Sequence, residues 1–214
     1  MNDEFLKRLV SSLILLPLVI YIIIYGKILF KIFLIICLIV TLYEWTLMKK
    51  NKLLNISGLF FLLFTFFLAY KLRYEFNDNY TFFLITILVC VFTDIGGYIF
   101  GKVFKGPKLT KISPNKTYSG MIGGFLLSIL TLQILLSLKF LDIEINLSIN
   151  SILFIFLISL SSQIGDICIS YFKRKSKIKD TGKLIPGHGG LLDRIDGIIF
   201  AIPTSYFIIL NNLI

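Results

Sequence analysis

Seven long apolar runs determine what this chain can fold into. Short polar linkers separate them, and each run is close to the ~20 residues that a helix needs to cross a bilayer. The runs cover residues 9–25, 28–48, 54–70, 80–100, 120–138, 150–172 and 195–213. Because a helix satisfies its own backbone hydrogen bonds inside lipid, each run predicts a membrane-spanning helix. We therefore expect an all-α, polytopic integral membrane bundle of about seven spans, within a range of about seven to nine.

The distribution of positive charge predicts how this bundle is oriented. Cytoplasmic linkers of membrane proteins carry an excess of Lys and Arg. Most of these residues lie in the linkers on the same side as the N-terminus. Those in the linkers on the other side are Lys27, Lys71, Arg73 and Lys139. The asymmetry predicts a cytoplasmic N-terminus, and it puts the two polar loops, 101–118 and 173–194, on the cytoplasmic side as well.

The composition narrows the class of protein further. Hydrophobic residues make up 57% of the 214 residues, above the roughly 45–50% of soluble domains, so little chain remains for a soluble domain. The net charge of +10 suits anionic lipid or anionic substrates. The charges are scattered over loops rather than gathered on an arm or a helix, so we expect no nucleic acid partner. Cys37, Cys90 and Cys168 lie inside apolar runs without metal-ligand spacing, and we interpret them as small buried hydrophobes.

Three acidic residues lie inside the apolar runs, namely Glu44, Asp94 and Asp166. A carboxylate near the middle of a span costs roughly 2.5–3.5 kcal/mol, so it is usually paired or functional. Asp94 and Asp166 lie towards the predicted cytoplasmic ends of their spans, and for them we favour a functional role over simple pairing with a lysine. Glu44, beside Trp45, is interpreted as a carboxylate that pairs with a nearby lysine for stability.

Small residues and hydroxyls mark the first polar loop and the helices beside it. Gly97 and Gly101 form a G-x-x-x-G pattern, as do Gly120 and Gly124, and we interpret both as sites of close helix packing. Between them, Ser113, Lys116, Thr117 and Ser119 supply hydroxyl and ammonium donors before a predicted helix. A helix N-terminus with such donors suits phosphate. An ordinary helix cap in a positively charged loop would give the same pattern, and both interpretations remain open.

The second polar block, residues 170–196, contains the chain's only histidine between basic residues, glycines and acids. Asp193 and Asp196 are three residues apart and would share a helix face. Together with Asp166 they could hold Mg²⁺, which prefers oxygen ligands and phosphate.

Cations and glycines of the same block suit phosphate. Its basic residues include Lys173, Arg174, Lys179 and Arg194, and Arg in particular binds phosphate oxygens in a bidentate manner. The glycines around His188 allow a ligand to approach the backbone closely. For His188 itself, contact with a phosphate or base is favoured over a role as general base. Phosphoryl or nucleotidyl transfer depends on such positioning and charge neutralisation.

At these residues the chain resembles the CDP-diacylglycerol synthase family, also called phosphatidate cytidylyltransferases. The family signature has fixed Ser, Lys-Arg, Lys-Asp, His-Gly-Gly and Asp-Arg-x-Asp positions, and this chain matches every one. The matching residues are Ser170, Lys173, Arg174, Lys179, Asp180, Gly182, Pro186, His188, Gly189, Gly190, Asp193, Arg194 and Asp196.

The resemblance extends upstream and covers about residues 90–200. The upstream matches are Asp94 with Tyr98 and Gly101, the Ser-Pro-x-Lys-Thr segment 113–117, and the Gln-x-Gly-Asp segment 163–166. One position departs from the family, which usually has an aromatic residue, Glu and Gly after that Thr. Here Ser119 stands where the family has Glu, which weakens the expectation that this loop contacts metal or nucleotide.

The resemblance implies a reaction and a set of roles. Phosphatidate and CTP would give CDP-diacylglycerol and pyrophosphate, with Mg²⁺ as cofactor and room for a second, monovalent cation. Metal binding would fall to Asp166, Asp193 and Asp196, which with Lys173 and Arg194 form the implied catalytic set. Substrate binding would fall to Asp94, Ser113, Lys116, Thr117, Ser170, Arg174, Lys179, His188, Gly189 and Gly190. On this basis we divide the chain into N-terminal membrane helices, 1–90, and a catalytic membrane region, 91–214.

Two other functions are weighed against this one. A CTP-dependent polyisoprenoid or phytol kinase would transfer the γ-phosphate to a lipid alcohol, but would not be expected to carry the whole signature. An ion transporter would place its acids near the midplane of two related halves, whereas here they gather at one face. We expect an integral protein of a bacterial cytoplasmic membrane with its active site on the cytoplasmic side. A homodimer is compatible with these residues, which do not define an oligomeric state.

Overall fold

The described part of the chain is almost entirely helical. The computed structural model describes residues 17–48, 51–76, 80–110, 112–113, 116–137, 148–182, 184 and 189–211. The helices are α1 (17–25), α2 (Lys27–Leu47), α3 (Lys52–Tyr74), α4 (Thr81–Phe104), α5 (Tyr118–Ser137), α6 (Ile149–Lys175), α7 (Leu192–Ile195) and α8 (Ile198–Leu210). Within these ranges there is no β-strand beyond isolated bridges such as the antiparallel one between Lys108 and Thr117. The all-α prediction is confirmed.

The long helices fall on the apolar runs and fit a polytopic membrane protein. Four of them, α2, α3, α4 and α6, are long and apolar enough to cross a bilayer, and shorter apolar helices cover Tyr118–Thr131 and Ile198–Leu210. The last predicted span, 195–213, corresponds to α8, which begins at Ile198 after the separate short helix α7 has ended at Ile195. The first half of the run 9–25 lies outside the described residues. The number of crossings and the orientation stay predictions.

Glycines bring α4 and α5 together, as their spacing predicts. A Cβ placed on Gly96 would overlap the carbonyl group of Gly123, and one on Gly120 would lie 2.7 Å from the carbonyl oxygen of Gly97. Gly124 faces α4 in the same way, since its Cβ would lie 3.0 Å from the carbonyl oxygen of Thr93. Close backbone approach of this kind needs small residues at the interface. The packing interpretation of the two G-x-x-x-G patterns is confirmed.

The apolar interior forms two clusters. The larger one combines residues of α1 to α4, α6 and α8, and Phe30, Leu72, Val89 and Ile158 are fully buried within it. The smaller one contains Trp45, Met48, Leu62, Ile169, Leu192 and Ile199. This second cluster lies at the end of the bundle where Trp45 of α2 donates to the backbone oxygen of Asn55 of α3 and its ring meets Phe172 of α6. We call this end the site end.

The opposite end of the bundle, which we call the far end, contains a buried arginine. The helix is interrupted between α1 and α2 at Gly26, whose φ of 65° favours glycine. Carbonyl groups at the end of α1 therefore lose their helical partners. Arg73 of α3 supplies donors in place of these helical partners. Its Nε donates to the backbone oxygen of Ile23 at 2.9 Å, and its Nη2 donates to that of Ile24 at 3.3 Å. The arginine is only 5% exposed.

Candidate active site

The signature segment begins on the last turn of α6 and reverses direction at once. The N–H of Ile178 donates to the oxygen of Lys173, and the N–H of Lys177 donates to that of Arg174, both at 3.0 Å. Lys177 takes a left-handed φ of 57°. This is a Schellman arrangement, which ends a helix and satisfies its last carbonyls. Ile178 packs against the apolar cluster of the site end, so the chain returns across the end of the bundle.

Asp193 of α7 gathers the returning loop around its carboxylate. Its Oδ1 accepts from Nζ of Lys173 at 2.9 Å. Its Oδ2 accepts from the N–H of Thr181 at 2.8 Å and from the N–H of Gly190 at 3.0 Å, with the Thr181 hydroxyl at 3.1 Å. The Asp193 side chain is 5% exposed and that of Lys173 is 12% exposed. The signature's Lys and Asp are thus joined by a largely buried ion pair.

The same contacts set the ionisation of Asp193. Burial acts to raise the pKa of this carboxyl, but the hydrogen bond from Lys173 and those from the backbone N–H groups of Thr181 and Gly190 outweigh it. The pKa of Asp193 therefore lies below its usual range. Hydrogen bonds to the charged form favour that form.

Gly189 shows why the signature needs glycine beside its histidine. Its φ of 86° is one that other residues rarely adopt, and a Cβ there would lie 3.0 Å from Oδ2 of Asp193. A side chain would both strain the backbone and push against the carboxylate that orders the loop. His188 itself lies outside the described residues, and its predicted role stays a prediction.

Glu44 is the residue whose partners differ from the expectation. Its described partners are not lysines: Oε1 accepts from the N–H of Leu191 at 2.9 Å, and Oε2 accepts from the N–H of Leu192 at 2.8 Å. The hydroxyl of Thr181 donates to Oε2 at 2.8 Å. Among the described residues, backbone and hydroxyl donors of the signature loop (residues 176–193) occupy the carboxylate where a lysine was expected. The sequence signal was the acid inside an apolar run, while Thr181 gave no signal at all.

Asp166 lies on α6, where it joins the two polar loops. It forms an ion pair with Lys116 of the first loop, and the Ser170 hydroxyl donates to its Oδ1 at 3.3 Å. Asp166 and Ser170 are four residues apart and therefore share a face of α6. The lysine pairing that was weighed against a functional role for Asp166 is present too. Because the Asp166 side chain is still 27% exposed, it remains accessible to a ligand.

Asp196, at the end of α7, lies close to this pair. It is 8% exposed, and its Oδ1 accepts only from the N–H of the next residue, Gly197, among the described contacts. Asp166, Lys173 and Asp94 all lie within electrostatic reach of it, and Asp94 is itself within reach of Lys116 and Arg194. Carboxylates and cationic side chains are therefore close together in this corner of the site end, where positive charge offsets the repulsion between neighbouring carboxylates.

The three predicted metal ligands, Asp166, Asp193 and Asp196, have different described partners. Among the described residues, no group of three or more His, Cys, Asp or Glu side chains is arranged to hold a metal ion. Asp193 directs its oxygens to Lys173, Thr181 and Gly190, whereas Asp166 and Asp196 are neighbours of each other. The assignment of metal ligands stays a prediction.

The first polar loop uses its hydroxyls to cap α5. The Thr117 hydroxyl accepts from the N–H of Gly120 at 3.1 Å, which is the geometry of a helix cap. The Ser119 hydroxyl lies 2.9 Å from that of Thr117 and donates to the oxygen of Lys105. Ser113 accepts from the N–H of Lys116 through its backbone oxygen at 3.0 Å. The capping interpretation thus holds for Thr117, and phosphate binding by this loop stays a prediction.

Comparison with known proteins agrees with the signature. A model of the cytidylyltransferase family matches residues 6–79 and 54–211, which together cover nearly the whole chain. The chain belongs to the cytidylyltransferase family. This confirms the resemblance that the signature residues carry.

Relatives within the family are similar over most of their length. A protein of Rickettsia bellii (strain RML369-C) named phosphatidate cytidylyltransferase is 37% identical over 209 residues, covering 94% of this chain and 89% of the relative. One of the same name from Staphylococcus haemolyticus (strain JCSC1435) is 34% identical over 174 residues, covering 79% and 66%. A third, from Staphylococcus aureus (strain COL), is 36% identical over 179 residues, covering 79% and 65%.

The remaining signature cations of this cytidylyltransferase lie at the surface of the site end. Arg174, Lys179 and Arg194 are exposed, as is Asp180. Arg174 and Arg194 are the sequence neighbours of Lys173 and Asp193, which form the buried ion pair. Exposed cations beside a buried ion pair could receive the phosphates of a nucleotide, and their substrate roles stay predictions.

Proposed function

We propose that this chain transfers the cytidylyl group of CTP to phosphatidate, giving CDP-diacylglycerol and pyrophosphate. The observation that carries the proposal is the similarity to proteins named phosphatidate cytidylyltransferase over 94% of the chain. The complete signature and its arrangement around Asp193 support it. The lipid substrate also suits a chain with four helices long and apolar enough to cross a bilayer.

The reaction balances without a strong general base. A phosphate oxygen of phosphatidate attacks the α-phosphorus of CTP, and the bond from that phosphorus to the bridging oxygen of pyrophosphate breaks. Phosphatidate already carries negative charge near neutral pH, so its oxygen needs no deprotonation by a side chain. Arg174, Lys179 and Arg194, exposed at the site end, bind the phosphates of CTP and offset the charge that develops on pyrophosphate.

The carboxylates of the site end fit a hard cation. Mg²⁺ is usually bound by one or two carboxylates together with substrate phosphates, and Asp166 and Asp196 are the two neighbours that would hold it. When bound, Mg²⁺ would neutralise charge on the phosphates of CTP. Ser170 orients Asp166 through its hydrogen bond. Asp193, whose oxygens are engaged by the loop, orders Lys173 and the glycines instead.

The finer localisation belongs to the same proposal. The excess of Lys and Arg in loops 101–118 and 173–194 favours a cytoplasmic site, where CTP is available. Similar proteins come from bacteria, which suits a bacterial cytoplasmic membrane. A homodimer stays a prediction.

Labelled CTP tests the proposal directly. The protein, purified in detergent micelles, is given phosphatidate and CTP labelled at the α- or the γ-phosphate, with and without Mg²⁺. We expect Mg²⁺-dependent transfer of α-label to lipid in the wild type and its loss in Asp166→Asn. Glu75→Gln is the matched control, since Glu75 lies at the far end and is held by Tyr206 and Lys71. Transfer of γ-label to an added lipid alcohol, without α-label in lipid, would favour a kinase and overturn the proposal.

A further inference from the structure

We propose that Glu44 is a positioning residue that holds the signature loop in its active arrangement; this rests on the proposed function. Glu44 lies on α2, outside the segment that carries the signature. Its carboxylate is nevertheless the point at which both ends of the loop meet. The Thr181 side is 137 residues away in sequence, and the Leu191 and Leu192 side is 147 and 148 residues away.

Both carboxylate oxygens of Glu44 accept hydrogen bonds from the start of α7. Oε1 accepts from Leu191, and Oε2 accepts from Leu192, the N–H groups with which α7 begins. The first N–H groups of a helix have no partner within the helix, so a buried acceptor stabilises them. Leu192 is fully buried in the apolar cluster below. Glu44 thereby anchors the start of α7, and with it the following residue, Asp193.

The second link runs through the Thr181 hydroxyl. This group lies 2.8 Å from Oε2 of Glu44 and 3.1 Å from Oδ2 of Asp193. A hydroxyl has one proton to donate, and the shorter distance assigns that proton to Glu44. Asp193 keeps the N–H of Thr181, the N–H of Gly190 and the ammonium of Lys173. The position of Thr181, and so the donor set of Asp193, depends on Glu44.

Glycines of the signature leave room for this carboxylate. A Cβ on Gly182 would lie 2.6 Å from Oε1 of Glu44, and one on Gly190 would lie 2.5 Å from Oε2. Both distances are too short for a real contact. The small residues at these signature positions are therefore explained by the close approach of Glu44, in addition to any approach of substrate.

Burial excludes direct contact between Glu44 and substrate in this arrangement. Glu44 is 3% exposed, and both of its oxygens are engaged by the loop. It acts through Asp193 and Lys173 rather than on the reacting atoms. Replacement by Gln keeps the shape but turns an NH₂ group towards at least one donor, which leaves a buried donor without an acceptor. A misplacement of about 1 Å in such a site can cost on the order of a hundredfold in rate.

Two measurements on Glu44→Gln test the proposal, with Glu75→Gln as the matched control. Hydrogen exchange in micelles follows the amides of residues 180–193, and steady-state kinetics follows α-label into lipid. We expect faster exchange confined to the loop, and a fall of about a hundredfold in kcat and kcat/KM alike. Glu75→Gln should resemble the wild type in hydrogen exchange and in kinetics. A double variant with Thr181→Val should be little worse than Glu44→Gln alone, because both changes break the same link.

The outcomes separate the two proposals. Wild-type kcat and KM in Glu44→Gln would overturn the positioning role, as would lost activity with unchanged exchange in the loop. Faster exchange spread over all helices would also overturn it, because Glu44 would then stabilise the bundle as a whole. If the wild type transfers no label while exchange still rises only in the loop, the proposed function fails and the anchoring of the loop stands.

Discussion

Two buried charged side chains, Glu44 and Arg73, lie at opposite ends of the bundle and have mainly backbone groups as described partners. At the site end, Glu44 is an anion that accepts N–H groups of the signature loop. At the far end, Arg73 is a cation that donates to carbonyls of α1 and lies over the rings of Phe30, Tyr74 and Tyr80. Both replace backbone hydrogen bonds that a helix end leaves open.

The two differ in what they hold. Arg73 joins α3 to the interruption at Gly26, and its described partners include carbonyls of α1 and aromatic rings. Glu44 joins α2 to a loop that carries Asp193, which in turn binds Lys173. The comparison indicates that a buried charge at the far end serves stability, whereas one at the site end serves the geometry of the reaction.

The largest effect expected at the site end comes from Asp166→Asn. Loss of a charge that would hold Mg²⁺ should lower cytidylyl transfer by about a thousandfold, at the upper end of what single electrostatic groups contribute. The melting temperature should change little, because the side chain is partly exposed. Label transfer at several Mg²⁺ concentrations is the measurement. An unchanged rate at every Mg²⁺ concentration would contradict a role for Asp166 in the reaction.

Arg73→Met should have the opposite profile. Buried carbonyls of α1 would lose their donor, at a cost of about 1–3 kcal/mol for each unsatisfied group. We expect a loss of about 2 kcal/mol, which corresponds to roughly 4–8 °C in melting temperature for a chain of this size. Transfer per folded molecule should stay close to that of the wild type. A melting scan in micelles measures the stability, and an assay well below the melting temperature measures the rate of transfer. A stable but inactive variant would contradict the assignment.

Two adjacent glycines of α4, Gly96 and Gly97, test helix packing separately from the two buried charges. Gly96→Ala would bring a methyl group against the carbonyl of Gly123, whereas the Cβ of Gly97→Ala would lie 3.7 Å from the oxygen of Gly120. The first should destabilise the bundle by about 1–3 kcal/mol, as overpacking does, and the second should be nearly neutral. Thermal unfolding of both variants is the measurement, and equal melting temperatures would refute the close approach of α4 and α5.

The smallest effect expected is an acid-sensitive loop. Because the pKa of Asp193 is lowered in the folded chain, its contribution to stability is present above the unfolded pKa and is lost as pH falls through the folded pKa. Exchange of the Thr181 and Gly190 amides, corrected for the intrinsic effect of pH, should therefore rise on the acid side. In Asp193→Asn this dependence should disappear. A wild-type loop whose protection does not respond to acid would count against the network around Asp193.

Sequence reasoning predicted the features that periodicity and motif carry. Apolar runs gave the helices, and the G-x-x-x-G patterns gave the close packing of α4 and α5. It could not predict contacts between residues far apart in the chain. The partners of Glu44 depend on how α2 meets a loop more than 130 residues later, and no local pattern encodes that distance. The positive charge of Arg73 predicts a position in a polar linker. In the structure it lies in the last turn of α3 and is only 5% exposed.

For the site residues too, the sequence indicates membership of a motif but not the contacts that folding creates. Lys173 and Asp193 belong to one motif, and the structure joins them in an ion pair. Helical spacing suggested that Asp193 and Asp196 would point the same way, but α7 has four residues and its flanking turns separate their partners. Thr181 lies between two fixed signature positions, and only the folded loop reveals its contacts.

Glu44→Gln and Arg73→Met, compared in one preparation, test whether the two buried charges have different roles. For each variant, the rate of α-label transfer per folded molecule and the melting temperature are measured together. We predict a crossed result. Glu44→Gln should lose most of its rate with little change in melting temperature, because local opening of the loop exposes the unpaired donor to water. Arg73→Met should melt earlier with a nearly normal rate. Variants that lose rate and stability in parallel would contradict the account, because the two buried charges would then serve the same purpose.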